Sequence, residues 1–194
     1  MKKIAINYYN LIKATIDNIV ITDADKNQMP LYDGVEKAAQ HILEFTGIGK
    51  KLIFIGNGAS QAISSHMSTD FWKNGGMRAV PFTDPSLLTC LSNDYGYEFA
   101  FEKAVNMFAD PDDILIGISS SGGSPNILNA VKTARVRQCS VITLSGFKPD
   151  NPLRATGDIN FYVPHDDYGP VEVLHHSILH CILDTIQKYN AKTR

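Results

Sequence analysis

One short loop of the sequence concentrates hydroxyl groups and bare backbone. Residues 119–124, SSSGGS, contain four serines and two glycines and no charged side chain. The loop follows an apolar run and precedes a helical pattern, in which Ser124 is a favoured N-cap and Pro125 suits the first helical position. A helix start presents unpaired N–H groups and a partial positive charge. We therefore predict a phosphate cradle made of Ser119, Ser120, Ser121 and Ser124, with a plain helix-capping turn as the alternative.

A second loop, GNGASQ at residues 56–61, begins like a dinucleotide-binding fingerprint but has Gln61 where the third glycine belongs. Neither loop contains Lys or Arg, and no GK[ST] sequence follows, which argues against a nucleoside triphosphate. A single phosphate monoester is the better match. Ser60 adds a further hydroxyl at this predicted turn from a strand into a helix.

Histidines and carboxylates recur at helical spacing in two segments. His66 and Asp70 are four residues apart, and Glu172, His176 and His180 repeat at the same step. Each group therefore shares one face of a helix. Together the two groups offer nitrogen and oxygen donors for a four-ligand metal site. Each pair alone is weakly specific, and the alternative is a set of ordinary surface or core histidines.

Five continuous apolar runs are predicted as strands buried on both faces, at residues 51–56, 78–82, 113–119, 139–145 and 159–164. Helix-length segments separate them, at 59–73, 86–93, 98–108 and 124–136. This alternation predicts an α/β fold with a parallel five-stranded sheet flanked by helices. Ligands of such sheets bind at the carboxyl ends of the strands, where both polar loops are expected.

Three further helices are predicted outside this repeat, at about 3–20, 31–46 and 170–190. Their apolar faces need partners, and a bundle between subunits would cover them. No linker divides the chain. We therefore expect one domain over residues 1–194, with N-terminal helices at about 1–46 and an α/β core at about 50–190.

Composition and charge argue against several classes of protein. The net charge is −2 at pH 7 and no basic block is present, so nucleic acid is not an expected partner. No apolar run is long enough to span a membrane, and the first residues lack the apolar stretch of a signal peptide. We interpret the scattered cysteines Cys90, Cys139 and Cys181 as reduced core residues of a cytoplasmic protein.

Four separated motifs resemble those of the SIS (sugar isomerase) domain family and, within it, the phosphoheptose isomerases. GNGAS is similar to the family's GNGGS loop, and ISSSGGSPNILNAVKTAR is similar to its loop at a helix entry. LSNDYGY is similar to its ND-x-G segment, and PVEVLHHSILHCILDTI is similar to its last helix. The resemblance covers about residues 30–190. It implies a SIS-domain, flavodoxin-like three-layer sandwich with additional N-terminal and C-terminal helices.

The resemblance also implies a function and a set of site residues. It implies conversion of sedoheptulose 7-phosphate to D-glycero-D-manno-heptose 7-phosphate, for heptose biosynthesis, by a homotetramer with active sites at subunit interfaces and one Zn²⁺ per subunit. The implied metal ligands are His66, Asp70, Glu172 and His180, of which Asp70 and His180 are the candidate acid/base pair for an enediol mechanism. The implied substrate-binding residues are Asn57, Gly58, Ala59, Ser60, Asn93, Asp94, Ser119, Ser120, Ser121, Ser124 and Glu172. For Asn93 and Asp94 taken alone, a helix C-cap is the simpler reading.

The chain departs from the family's pattern at several positions. Asp70 is one methylene shorter than the family's Glu, Glu172 replaces a Gln, and Ala59 adds a methyl group beside the substrate loop. These departures keep open an isomerase for another sugar phosphate. A non-catalytic phosphosugar-binding or replication-initiator-associating regulator is another alternative, although a pure scaffold has no use for the retained histidines and carboxylates. A sugar-phosphate lyase or deaminase of the wider superfamily is the third.

Overall fold

A seven-stranded sheet forms the centre of the computed structural model, which describes residues 1–193. Its strands are β1 (Val20–Asp23), β2 (Gln28–Met29), β3 (Leu52–Gly56), β4 (Ala79–Pro81), β5 (Ile114–Ser119), β6 (Ser140–Ser145) and β7 (Ile159–Tyr162). They lie in the order β2-β1-β7-β6-β5-β3-β4. The neighbours among β3 to β7 are all parallel, as predicted for the five apolar runs. β1 is antiparallel to both β2 and β7.

Helices cover both faces of this sheet. Within residues 1–193 they are α1 (Lys2–Ile16), α2 (Leu31–Gly47), α3 (Ala59–Lys73), α4 (Pro85–Tyr95), α5 (Ala100–Phe108), α6 (Pro125–Val136) and α7 (Tyr168–Thr193), with short 3₁₀ helices at Tyr97–Phe99 and Pro152–Ala155. The apolar residues of α2, α3 and α7 pack on one face, and those of α5 and α6 pack on the other. The predicted three-layer sandwich is therefore confirmed.

Strand β3 contributes side chains to the hydrophobic cores on both faces of the sheet. Leu52 and Phe54 join the core on the α2, α3 and α7 side, whereas Ile53 and Ile55 join the core on the α5 and α6 side. Successive side chains of a strand point to opposite faces, so a strand covered on both faces is apolar throughout. All four side chains are fully buried, and each contributes about 1.5–3 kcal/mol of burial energy. The loop that follows β3 is thus held by a rigid strand.

The N-terminal segment differs from the prediction of one helix over residues 3–20. α1 ends at Ile16, and Val20–Asp23 forms β1, which together with β2 extends the sheet beyond its five parallel strands. A tight turn joins these two strands, in which the Asp23 carboxylate accepts the backbone N–H of Asn27 at 2.9 Å. Asp and Asn favour such turns, so this polar stretch ends the helical pattern.

The prediction of three buried cysteines is wrong for two of them. All three are free, but only Cys139 is buried, whereas Cys90 on α4 and Cys181 on α7 are exposed. Their apolar sequence neighbours were the basis of the prediction. Adjacent residues of a helix point in different directions, so apolar neighbours do not imply a buried position.

Helix α1 leaves many apolar side chains uncovered. Ile4 is 73% exposed and Tyr9 is 71% exposed, and Thr15 is the one residue of this helix that is buried. An amphipathic helix normally covers its apolar stripe. Neither α1 nor any other helix within residues 1–193 combines the length and apolar character needed to cross a membrane.

Candidate functional site

A polar cavity of about 260 Å³ lies where the loops after β3 and β5 meet the start of α7. Both loops predicted from the sequence therefore contribute to one site, at the sheet edge where α/β proteins bind ligands. Of the predicted substrate-binding residues, Asn93 and Asp94 do not line this cavity. Its wall consists of Asn57, Gly58, Ala59, Ser60, Ser119, Ser120, Ser121, Ser124, Tyr168 and Glu172.

Three helices begin at this cavity. Gly58 immediately precedes α3, Ser124 is the N-cap residue of α6, and Tyr168 is the first residue of α7. Each helix start carries unpaired N–H groups and a partial positive charge. The cavity is therefore suited to an anion, although its wall contains no Lys or Arg.

Two glycines permit the sharp turn from β3 into α3. A Cβ atom at Gly56 would lie 2.6 Å from the backbone carbonyl carbon and oxygen of Ser60, so only glycine fits this close approach. Gly58 has a φ of 55°, in the left-handed region that glycine adopts without strain. The turn brings the start of α3 to the cavity wall.

The hydroxyl groups of the serine loop are not consumed by helix capping. Ser124 is the N-cap of α6, as predicted, but its side chain makes no capping hydrogen bond. Its Oγ instead lies 3.3 Å from the Oγ of Ser119. The Oγ of Ser120 is buried and has no hydrogen-bond partner within residues 1–193. An unpaired buried hydroxyl costs about 1–3 kcal/mol, a cost that a bound acceptor would remove.

A hydrogen-bond network fixes Asn57 at the edge of the cavity. Asn57 and Asn126 exchange two amide hydrogen bonds of 2.9 Å each. The hydroxyl of Tyr97 donates to the Oδ1 of Asn57 at 2.7 Å. The Oδ1 of Asn126 also accepts the backbone N–H of Ile127 at 3.0 Å, in the first turn of α6. The network therefore ties the glycine loop, the serine-loop helix and the segment after α4 together.

Asn93 and Asp94 lie in the last turn of α4, and both are exposed. The Nδ2 of Asn93 donates to the Oδ1 of Asp94 at 3.0 Å, so the two side chains bond to each other. Gly96, with a φ of 94°, ends the helix. In the single chain this segment matches the simpler helix C-cap reading.

Three histidines converge where α3 packs against α7. One ring nitrogen of each of His66, His176 and His180 lies within 4.8 Å of the others. The ring centroids are 4.7 Å apart for His176 and His180, and 5.1 and 5.5 Å from His66 to His176 and to His180. The Oδ2 of Asp70 lies 3.3 Å from the Nε2 of His66. A metal ion would find three nitrogen donors here, with the Asp70 carboxylate beside His66.

The hydrogen bonding and the pKa of the His176 ring suit a metal ligand. Its Nε2 is buried and has no hydrogen-bond partner within the described chain. Burial, together with the neighbouring His180 and His66, lowers the pKa of His176 below its usual value. At neutral pH the ring is therefore uncharged, which is the form that binds metals.

His175, the neighbouring residue, has a structural role. It is fully buried, and its Nε2 donates to the backbone carbonyl of Ser145 at 3.1 Å. Burial lowers the pKa of His175 to about 4, so the ring stays neutral. This bond fixes the orientation of α7 against β6 and thereby of the residues on either side.

Glu172 lies apart from the three histidines, although it shares their helix face. It lines the serine cavity, one helical turn before His176. It is also the one charged side chain in the cavity wall. Of the predicted metal ligands, the structure therefore brings together His66 and His180, with Asp70 beside His66, and it adds His176.

The SIS domain profile matches residues 7–146 of the sequence. The chain belongs to the SIS domain family. This SIS-domain chain is 33% identical over 166 residues to the phosphoheptose isomerase of Photorhabdus laumondii, an overlap that covers 82% of this chain and 86% of that one. It is 31% identical to the phosphoheptose isomerase of Serratia proteamaculans, over 95% of this chain and 99% of that one.

Solved structures extend the SIS-domain comparison to the fold. The phosphoheptose isomerase GmhA of Neisseria gonorrhoeae matches with a TM-score of 0.85 at 28% identity, covering 96% of this chain and 98% of that one. A phosphoheptose isomerase of Francisella tularensis matches with a TM-score of 0.82 at 28% identity, covering 97% and 99%. The predicted family and α/β fold are both confirmed.

Sequence reasoning overlooked several residues of this site. His176 stood at the right helical step but was not among the predicted metal ligands, because the step alone does not separate it from Glu172. Asn126 follows the serine loop closely, yet nothing in the sequence pairs it with Asn57. Tyr97 ends the LSNDYGY motif but was given no role there, and Tyr168 carried no signal, since both positions depend on how α4 and α7 dock.

Proposed function

We propose that the protein is an aldose–ketose isomerase that interconverts sedoheptulose 7-phosphate and D-glycero-D-manno-heptose 7-phosphate. The observation that carries the proposal is a donor-rich cavity whose Glu172 lies on the same helix, α7, as His176 and His180 of the histidine cluster. Relatives named phosphoheptose isomerase, matched over nearly their whole length, support the same chemistry.

The serine loop is proposed to anchor the phosphate group. The hydroxyls of Ser119, Ser120, Ser121 and Ser124 and the starts of α3, α6 and α7 supply neutral donors and partial positive charge. Neutral donors suit a monoester, because it carries less charge than the phosphate chain of a nucleotide. A phosphate fixed at one end of the substrate orients the reacting carbons at the other.

Carboxylates and histidines of α3 and α7 are proposed to move the proton. Isomerisation transfers a proton between adjacent carbons through an enediol, which requires a base and an acid near the carbonyl. Asp70 and His180 are the proposed acid/base pair. Glu172 and Asn57 are proposed to contact the substrate hydroxyls from the cavity wall, together with Gly58, Ala59 and Ser60. Asn93 and Asp94 are proposed to contact substrate only if assembly or ligand binding brings them to the cavity.

One Zn²⁺ per subunit is proposed at the histidine cluster. His66, Asp70 and His180 are proposed as three of the ligands. The fourth ligand is either Glu172 or His176. The unpaired Nε2 of the neutral His176 supports a cation at this point, and nitrogen and carboxylate donors suit zinc. When bound, zinc would polarise the carbonyl and hydroxyl oxygens of the substrate.

A homotetramer with active sites at subunit interfaces is proposed as the working assembly. The uncovered apolar residues of α1 support association with further copies. A cavity of about 260 Å³ is also slightly smaller than the roughly 300–1,000 Å³ of most small-molecule sites, which favours completion of its wall by a partner subunit. A role in heptose biosynthesis belongs to this proposal, and the cytoplasmic location stays a prediction from the sequence.

Proton NMR of the zinc-loaded protein with sedoheptulose 7-phosphate in D₂O tests the proposed reaction. New aldose signals, together with deuterium at the carbon beside the carbonyl, are expected. The same sample after chelation is the control for the metal. Neither turnover nor exchange with sedoheptulose 7-phosphate would exclude this substrate, and exchange with another ketose phosphate would favour an isomerase of different specificity.

A non-catalytic phosphosugar-binding regulator is the second candidate. The observation that favours it is Glu172, whose negative charge in the cavity replaces a neutral residue of the resembled enzymes. Tight binding of a sugar phosphate without exchange of its protons would support the regulator. Bound zinc in the purified protein would count against it, because a scaffold needs no metal.

A further inference from the structure

We infer that His176 takes the fourth ligand position of the metal site, and that Glu172 is thereby left free in the serine cavity to act on the substrate. The inference rests on the proposed function for the presence of the metal. It divides the polar residues of α7 into a metal-binding pair, His176 and His180, and a substrate-facing carboxylate one helical turn earlier.

The distances favour His176 over Glu172. The ring nitrogens of His66, His176 and His180 already lie within 4.8 Å of one another. Zinc–nitrogen bonds of about 2.0–2.1 Å place neighbouring ligands of a tetrahedral site about 3.4 Å apart. The ring nitrogens would need to approach one another by up to about 1.4 Å to bind one ion. The Oδ2 of Asp70 lies 3.3 Å from the Nε2 of His66, but Asp70 is outside the group of three and would have to turn toward it.

The hydrogen-bond state of His176 favours the same assignment. Its Nε2 is buried without a protein partner in the described chain, which is costly for a polar atom unless a ligand occupies the space beside it. A metal ion satisfies the Nε2 lone pair directly.

Charge leads to the same division of roles. Three neutral imidazoles and the Asp70 carboxylate would leave a divalent cation with one net positive charge. That charge would attract the Glu172 carboxylate through space, without a direct bond between them. If Glu172 bound the metal instead, its lone pairs would be engaged and it would not be free to contact the substrate.

X-ray absorption at the zinc edge tests the ligand assignment, because scattering from imidazole rings reports the number of histidine ligands. We expect three imidazoles in the zinc-loaded wild-type protein and two in His176→Leu, with three retained in Glu172→Gln. His41→Gln, which removes a histidine on α2 that is not part of the cluster, is the matched control and should keep three. Zinc affinity in His176→Leu should fall by more than the roughly 10–100-fold loss typical of an outer-sphere partner.

A separate readout tests the role left to Glu172. Glu172→Gln should retain its zinc and its affinity for zinc but change the KM for sedoheptulose 7-phosphate, because this side chain lines the serine cavity. Two imidazoles in the wild-type spectrum would overturn the inference, as would loss of zinc in Glu172→Gln with full retention in His176→Leu. If His176→Leu does not fold, the wild-type count alone decides. Three imidazoles without isomerase turnover would contradict the proposed function and leave this inference standing.

Discussion

Both ends of the parallel sheet bury polar groups. These groups are paired within the chain at the amino end, whereas unpaired groups lie at and near the carboxyl end. At the amino end, Lys51 donates from its Nζ to Asp110 at 2.8 Å and to Asp113, and the Oδ1 of Asp113 accepts the backbone N–H of Lys51 at 2.9 Å. At the carboxyl end, the Oγ of Ser120 is buried without a partner in residues 1–193, and so is the Nε2 of His176, one helical turn beyond Glu172 of the cavity.

This difference distinguishes polar groups whose partners lie within the chain from polar groups that are open to the proposed ligands. At the amino end, burial opposes the charge of Lys51, but its hydrogen bonds to Asp110 and Asp113 raise the pKa of Lys51 above its usual value. The ion pair is therefore complete within the chain. At the carboxyl end, each unpaired buried group costs about 1–3 kcal/mol, and a bound phosphate or metal would recover that cost.

The largest expected effect comes from the serine loop. The double change Ser121→Ala, Ser124→Ala should raise the KM for sedoheptulose 7-phosphate strongly and lower kcat/KM by about 10²–10⁴-fold, since each hydrogen bond to a charged group contributes about 1.5–3 kcal/mol. Steady-state kinetics measure this. Ser140→Ala, at the amino end of β6, is the matched control and should leave KM unchanged. An unchanged KM in the double variant would count against the phosphate cradle.

Substitutions at the amino end of the sheet should change the stability of the protein. Lys51→Met should lower the free energy of unfolding by about 3–5 kcal/mol, because it leaves the buried Asp113 carboxylate without its counter-charge. Urea unfolding measures the change. Lys50→Met removes an exposed pair with Asp112 at 3.7 Å and should cost less than about 1 kcal/mol. Equal losses in the two variants would remove the contrast between the two ends of the sheet.

A smaller effect is expected from Tyr97, which acts on the cavity through Asn57. Tyr97→Phe removes the 2.7 Å hydrogen bond to the Oδ1 of Asn57, which contributes about 1 kcal/mol and thus about a fivefold change in kcat/KM. Thermal stability should hardly change, because Tyr97 is exposed. Tyr95→Phe, in the last turn of α4, is the control. A loss of activity in both variants alike would indicate that the hydroxyl of Tyr97 has no specific role.

The smallest expected effect is the pH dependence of the amino end. The hydrogen bond and charge of Lys51 lower the pKa of Asp110 below 3.8. Its contribution to stability is therefore present above pH 3.8 and is lost as the pH falls through the lower pKa of the folded state. The stability difference between wild type and Asp110→Asn should be largest near pH 7 and shrink in acid. A difference that grows in acid would contradict this sign.

Much of the fold could be predicted from the sequence, because strands buried on both faces leave continuous apolar runs. β5 and β6 begin within a residue of their predicted positions. β1 could not be predicted in this way, since its four residues follow a helical pattern without a break and are identified only by pairing with β7. Short strands depend on distant partners that local patterns do not contain.

The candidate site also has a part that could be predicted from the sequence and a part that could not. Serine hydroxyls and glycines in a loop carry their chemistry locally, so the cavity wall could be predicted from Ser119 to Ser124. The candidate metal site depends on how α3 docks against α7, and helical spacing alone does not distinguish Glu172 from His176. Docking brings the ring of His176 to within 5.1 Å of His66, measured between ring centroids. Only tertiary packing distinguishes the two residues.

A crystal structure of the zinc-loaded protein with bound sedoheptulose 7-phosphate tests the central claim most directly. The account predicts the phosphate within hydrogen-bonding distance of the Ser120, Ser121 and Ser124 hydroxyls, and the sugar directed toward Glu172 and the histidine cluster. A phosphate bound elsewhere, with the Ser120 hydroxyl still unpaired, would contradict the claim that the unpaired groups at the carboxyl end of the sheet are reserved for this ligand.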